Sequence, residues 1–423
     1  MKNSSSRKGF TVVELVIVIA VIAVLAAVLI PTFSNLVKKA NIANDTALAK
    51  NINTALAGYK ATVSGEMEFK DVIAAARDAG YIISNLNPTT AGHYFVWEKS
   101  TNQILLVDGD NDYAVIYANN KDYADIGSTW YFATSNKTAA TALKTEAAAK
   151  GFIVKDMIAK VEDLSSAIAA GGEVYLDESV ILDSTHTLKI TESTTDLVVN
   201  LGNASLTTDG TINDIPVYVE DGSLTINGGN IGGAGSFSNQ FGSFKTAVAA
   251  DKGDLTMNNV VINNPNGSGV THGSVVDGPD AEVLVKDCTI NAEICINIGG
   301  TGSVTIEDVI ATGTKSAVWV TWYTTDVTIN GGKYVCTGTS DDSECIEVFG
   351  YDSKITITDG DFKGGNVLLR ATGGSGSSTI VITGGTFNGT PFAELDTMNE
   401  WKALCNEGVT ITGIGTGTVT ISK

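Results

Sequence analysis

The sequence predicts a long N-terminal helix, then a small α+β head, then an all-β parallel solenoid. Three observations predict that order. From Phe10 to Ile30 the chain is apolar except for Thr11 and Glu14. Between residues 60 and 157, one amphipathic helical stretch and a few short strand-like runs alternate with turn residues. From about residue 158 a short motif recurs at irregular intervals to the end of the chain. At 423 residues the chain exceeds one ordinary domain, and its 45 glycines against 6 prolines indicate many tight turns. A formal net charge of −20 excludes a basic nucleic-acid footprint and charge-driven adhesion to anionic lipid.

The first element is the apolar helix. Residues 1–9, MKNSSSRKG, carry Lys2, Arg7 and Lys8 and no acid, and the run that follows is long enough to cross a bilayer core of about 30 Å. The basic leader predicts a cytoplasmic N-terminus with the rest of the chain outside. A secretory signal has a small-residue cleavage site after its apolar core, whereas here Gly9 precedes it. Glu14 lies inside the run, where a carboxylate is costly unless paired. Cleavage after Gly9 would place a free amine on Phe10, four residues from Glu14. Beyond Pro31 the pattern turns amphipathic, with Phe33, Leu36, Val37, Ala40, Leu48, Ile52, Leu56 and Tyr59 at helical spacing.

With its basic leader and Pro31, the stretch GFTVVEL resembles the class III signal of type IV prepilins and type II secretion pseudopilins. Gly9, Phe10 and Glu14 occupy that family's glycine, bulky apolar and fifth-position glutamate places. The resemblance covers about the first fifty residues. It implies cleavage after Gly9 by a prepilin peptidase, N-methylation of Phe10, subunit docking aided by Glu14, and a helix kink at Pro31. It also implies other pilin subunits as partners, in a homo- or hetero-polymer.

The head follows. EFKDVIAAARDAG (68–80) predicts a helix ending at Gly80. YFVWEKSTNQILLVD (94–108) predicts a hairpin turning at Ser100–Asn102, with a third strand at Ala114–Ala118. A helix is expected at Thr138–Lys150. A long helix laid on a small antiparallel sheet again resembles a pilin. The acidic loop Asp108, Asp110 and Asp112 has the oxygen donors calcium favours, but its spacing is not that of an EF-hand, and a solvated turn reads better. With five cysteines and no CxxC pair, structural zinc is not expected. Cys288 with Cys295 and Cys336 with Cys345 could bridge locally, or all could be buried thiols.

In the repeat, segments open at Leu197, Leu224, Leu255, Val283, Val304, Val327, Ile355, Ile380 and Val409. Two residues on stand Val199, Ile226, Met257, Val285, Ile306, Ile329, Ile357, Ile382 and Ile411. Three on, every residue is polar, beginning Asn200, Asn227, Asn258. Seven on, most are apolar, as with Ile231, Ile262, Ile290, Tyr334, Phe362 and Phe387. A constant short motif at variable period means constant strands and variable loops, the pattern of a solenoid rather than a propeller. The asparagines predict a stacked turn ladder. A helix at Val161–Ala170 is expected to cap one end and another at Asp396–Glu407 the other.

The GGEVYL segment and TINGG rungs resemble the right-handed parallel β-helices of pectate-lyase-like surface domains. That resemblance spans residues 158–423 and carries no activity by itself. Asp341, Asp342 and Glu344 with Lys333 or Lys354, and His272 with Asp277 and Asp280, are the best catalytic groupings, and both read better as loops. Trp322, Tyr323 and Tyr351 are the expected ligand-stacking aromatics, while Trp319 is expected inside the solenoid.

The chain thus divides into a leader (1–9), a pilin helix (10–59, spanning the membrane over 10–33), a head with connection (60–157) and a β-helix (158–423). The expected function is that of a pilin-like subunit displaying a non-enzymatic β-helix for adhesion to a glycan or protein. No cofactor is required, and nucleic acid is not a partner. The alternatives are a surface-tethered polysaccharide lyase or hydrolase, or a pseudopilin of a type II secretion-like system.

Overall fold

The structure is a computed structural model. It describes residues 11–83, 86–121, 129–134, 137–158, 160–212, 215–233, 235–239, 242–272, 281–321, 325–340, 343–349, 353–365, 367–371, 379–389, 403–405, 408–414 and 416–422. Two compact units result, one of Met1–Met67, Asn85–Phe132 and Lys144–Ile153, the other of Glu68–Ser84, Ala133–Leu143 and Val154–Lys423. The described helices are α1 (Val12–Lys60), α2 (Phe69–Asp78), α3 (Lys137–Lys150) and α4 (Leu164–Ala170).

In the first unit, α1 buries Ala49, Ile52 and Leu56 together with Asp45 and Asn53. Neither polar residue is left unmatched, as burial requires. Asn53 Nδ2 donates to the Ile104 carbonyl at 3.0 Å while Asn53 Oδ1 accepts the Ile104 N–H at 2.6 Å. Asp45 Oδ1 accepts the Thr89 N–H at 2.8 Å. The sheet holds β1 (His93–Glu98), β2 (Gln103–Asp108), β3 (Ala114–Tyr117) and β4 (Trp130–Thr134), all antiparallel, in the order β3-β2-β1-β4. The hairpin turns where expected, with Asn102 in the left-handed region at φ 50°. Glu98 closes it by accepting the Ser100 and Thr101 N–H groups at 3.0 and 2.7 Å. Burial alone would raise the Glu98 pKa, but the Thr101 and Ser100 donors outweigh it and hold the carboxyl low. Strand β4 was not expected; its Trp130-Tyr131-Phe132 run is hidden in a polar, alanine-rich stretch. Phe132 stacks near Phe152 at 4.4 Å and meets Tyr113 edge-on at 5.7 Å.

The second unit is a right-handed β-solenoid of about eight turns. The openings pair in one unbroken register: Leu197 with Leu224, Leu224 with Leu255, Leu255 with Val283, Val283 with Val304, Val304 with Val327, Val327 with Ile355, and Ile355 with Ile380. The ninth departs from this pattern. The strand after Val409, Thr410–Thr412, pairs antiparallel with Thr418–Ser422, so the last hairpin closes the stack instead of extending it. Thr418–Ser422 also runs antiparallel to Gly385–Asn388, which covers an edge that would otherwise stay open.

Five of the turns leave their first strand through a left-handed corner four residues after the opening. Gly228, Asn259, Asp287, Asp308 and Gly331 take φ of 70°, 56°, 52°, 50° and 78° there. Asn and Asp tolerate this region because their short polar side chains bond locally, so the corner is not confined to glycine. Beside it the expected ladder forms. Asn227 Nδ2 donates to Asn200 Oδ1 at 3.1 Å and Asn258 Nδ2 to Asn227 Oδ1 at 2.9 Å. Lys286 and Glu307 continue that row as an ion pair at 2.9 Å, and Thr358 bonds Asn330 at 2.9 Å. Inside, Tyr334, Phe362 and Phe387 stack with centroids 4.9 Å apart and planes 10° from parallel. Helix α4 ends the core with Leu164 fully buried and Val161, Ala167 and Ile168 packed against it. The helix expected at Asp396–Glu407 lies almost wholly outside the described residues.

Helix α2 belongs to this unit, whereas the sequence segmentation places it in the head. Phe69 meets Tyr175 edge-on at 5.2 Å. Arg77 donates to the Leu176 carbonyl at 2.6 Å and twice to that of Asp177, at 2.8 and 3.0 Å. Asp177 in turn accepts the Ile83 N–H at 2.9 Å. An amphipathic pattern reveals that a helix has an apolar face, not which core receives it.

Candidate functional site

Helix α1 presents the first candidate surface. Every large apolar side chain from Val12 to Val37 is exposed, from 43% for Val37 to 77% for Val12. The stretch is long and apolar enough to cross a membrane, and none of it is buried by the rest of the chain. A soluble protein does not leave so large an apolar face to water, so lipid or other protein must cover it. Glu14 sits at its start, where a helix N-terminus favours negative charge. Glu14 Oε2 accepts both the N–H and the hydroxyl of Thr11 at 2.8 Å, and Thr11 Oγ accepts the Glu14 N–H at 3.3 Å. This capping box satisfies the carboxylate within its own chain. Gly9 and Phe10 lie outside the described residues. The helix runs on through Pro31, where Thr32 Oγ donates to the Val28 carbonyl at 2.8 Å.

The acidic loop of the head does not gather its carboxylates on one point. Asp108 Oδ1 accepts the Asp110 N–H at 3.2 Å, and Asp112, left-handed at φ 52°, pairs with Lys150. His93 Nε2 lies 3.9 Å from Asp108. Among the described residues no group of three or more His, Cys, Asp or Glu side chains is placed to hold a metal ion.

On the solenoid, Trp322, Tyr323 and Tyr351, the aromatics expected to stack on a ligand, lie outside the described residues, as do Asp341, Asp342, Asp277 and Asp280. Glu344 is buried, at 1% exposure. Trp319 differs from expectation. It lies between Val318 and Val320, which both enter the core, so strand alternation turns the indole outward, where it is half-buried. The Val-Trp-Val alternation was the signal that placed it. Lys315 Nζ lies 4.7 Å from its ring centroid. Beside Lys315 opens a cleft of about 520 Å³ where successive turns bend between their second and third strands.

The cysteines Cys288, Cys295, Cys336 and Cys345 are buried free thiols and Cys405 is half-buried. Burial pushes Cys288 up to about 11 and Cys295 and Cys345 up to about 12, which makes all three poor nucleophiles.

Comparison with known proteins bears on the N-terminus. The prokaryotic N-terminal methylation motif matches residues 4–30. The chain is 52% identical over 56 residues to the type IV wide pilus major component PilA4 of Thermus thermophilus, covering 13% of this chain and 38% of that protein. It is 32% identical over 99 residues to the fimbrial protein EcpC of Eikenella corrodens, covering 20% of this chain and 65% of that one. The chain thus spans less than two thirds of the length of either relative. No solved structure matches the chain. Motif, relatives and exposed helix together define a type IV pilin N-terminus, joined here to a right-handed β-solenoid.

Proposed function

We propose that the chain is a pilin-like subunit of a surface filament whose solenoid serves adhesion, binding a glycan or a surface protein. The observation that carries this reading is the apolar face of α1 from Val12 to Val37, left wholly uncovered by the chain itself and headed by Glu14. In the membrane that face meets lipid; in a filament it meets the same face of other subunits, and the helix needs no refolding to pass from one to the other. Prepilin peptidase would cut after Gly9, and the new amine of Phe10 would compete with Thr11 for the Glu14 carboxylate. The role is structural and adhesive rather than catalytic. The solenoid suits display, because its turns support one another through a continuous core and leave the loops between strands free to vary. Mass spectrometry of sheared filaments tests the reading. A mature N-terminus at methylated Phe10 is expected; an intact Met1 confined to the membrane fraction would sink it.

A further inference from the structure

The corner cleft and Trp319 supply a more specific reading, which rests on the adhesive role proposed above. Asn266, Glu293, Thr314, Lys315, Ser340 and Ser343 line the cleft, drawn from four successive turns of the solenoid. Bulges in the parallel register at Asn264/Ser268, Ala292/Ile294 and, on the neighbouring strand, Gly313/Ser316 open the wall there. Irregular backbone at one corner of several consecutive turns re-aims side chains in concert. The volume lies within the range of about 300–1,000 Å³ typical of ligand clefts.

The lining is chemically selective. Among the described residues it offers one carboxylate, one ammonium, one amide and three hydroxyls, charges that cancel, on a chain of net charge −20. Lys315 makes no ion pair among the described residues, and its ammonium rests over the indole of Trp319 at 4.7 Å. The indole Nε1–H is buried and has no hydrogen-bond partner among the described residues. The ammonium covers the ring face and can swing aside, which would hand that face to a ligand in the cleft. Along the solenoid the Trp319 register continues to Asn297 on one side and Glu347 on the other, one strand spacing of about 4.8 Å each way. An aromatic platform next to closely spaced hydroxyl, amide and carboxylate groups fits a polyol ring, which stacks by its C–H face and bonds by its hydroxyls. The acidic surface disfavours a polyanion, and the cleft is too polar for an apolar peptide.

We infer that this cleft, with Lys315 and Trp319 at its edge, is a binding subsite for an uncharged hexose chain lying along the solenoid.

The test uses the full chain in detergent, titrated with maltohexaose, cellohexaose and mannohexaose, and with oligogalacturonate as the anionic control. Binding is read by calorimetry and indole fluorescence. At least one neutral hexaose is expected to bind, and Trp319→Ala to weaken it about tenfold or more, the loss usual for an aromatic anchor. Glu293→Gln and Lys315→Met, which leave the core untouched, are expected to weaken it several-fold with unchanged circular dichroism. Binding of oligogalacturonate alone, of no hexaose, or equal binding by all three variants would overturn the inference. Adhesion of cells carrying the wild type, Trp319→Ala or a solenoid-deleted chain separates the two claims. Adhesion lost only with the whole solenoid refutes the subsite and keeps the adhesive reading; adhesion unaffected by either change refutes both.

Discussion

Valine, isoleucine and leucine dominate two regions of this chain with opposite outcomes. In α1 they stay on the surface from Val12 to Val37; in the solenoid they form one continuous buried cluster from Ile158 to Ile421. Composition does not separate the two regions, but periodicity does. A turn of solenoid stacks its inward row on the next turn, so the chain completes its own core. A lone helix that is apolar all round has no inward side, and its free-energy gain waits for lipid or another subunit. The solenoid therefore carries its own folding stability whereas the apolar helix depends on an outside cover, and substitutions should act on one and spare the other.

The largest effect on folding is expected at Phe362, sandwiched between Tyr334 and Phe387. Phe362→Ala should cost about 3–5 kcal/mol in denaturant unfolding, from lost burial plus a cavity in a stack with little room to relax. A loss below about 1 kcal/mol would contradict a tightly packed aromatic row. Leu25→Asp should instead leave the unfolding midpoint unchanged and disfavour membrane insertion by about 2.5–3.5 kcal/mol. A shifted midpoint with normal insertion would erase the contrast drawn above. Arg77→Ala should lie between these in kind. It frees two backbone carbonyls on the first turn at about 1–3 kcal/mol, and the Ile83 amide should exchange faster. Asn227→Ala, in mid-ladder, should cost only about 1 kcal/mol because its neighbours can turn to water.

A separate effect is alkaline and acts through the solenoid interior alone. An unfolded thiol titrates near 8.5, whereas Cys288, Cys295 and Cys345 are raised to about 11 and 12 in the fold. Above pH 8.5 the unfolded chain therefore binds fewer protons than the native one, so stability is full below that pH and falls as pH rises toward 11 to 12. Iodoacetamide at pH 8.5 should label Cys405 first and these three only after denaturant is added. Prompt labelling of all five would mean that the interior opens readily.

Much of this was legible in the residues. Eight of the nine openings pair as aligned, because a motif of aliphatic, any, aliphatic, polar residues allows one inward phase. Val409 matched the motif yet feeds a closing hairpin, since pattern reports which side is buried and not the direction of the partner strand. The assignment of α2 to the solenoid was invisible for a similar reason. What holds it there is the Arg77 guanidinium on the carbonyls of Leu176 and Asp177, about a hundred residues away in sequence. Trp319, expected inside, faces outward because it alternates with Val318 and Val320, which fill the core.

What the sequence determined by itself is whatever depends on local spacing. The uninterrupted apolar run makes a membrane-length helix, residues 4–30 match the N-terminal methylation motif, and the recurring rung dictates a solenoid. What only the tertiary structure decided is which distant groups meet. Irregular corners from four turns line up into one cleft, and Lys315 comes to rest on Trp319. The loops between rungs vary in length, so no fixed sequence interval records which side chains end up side by side.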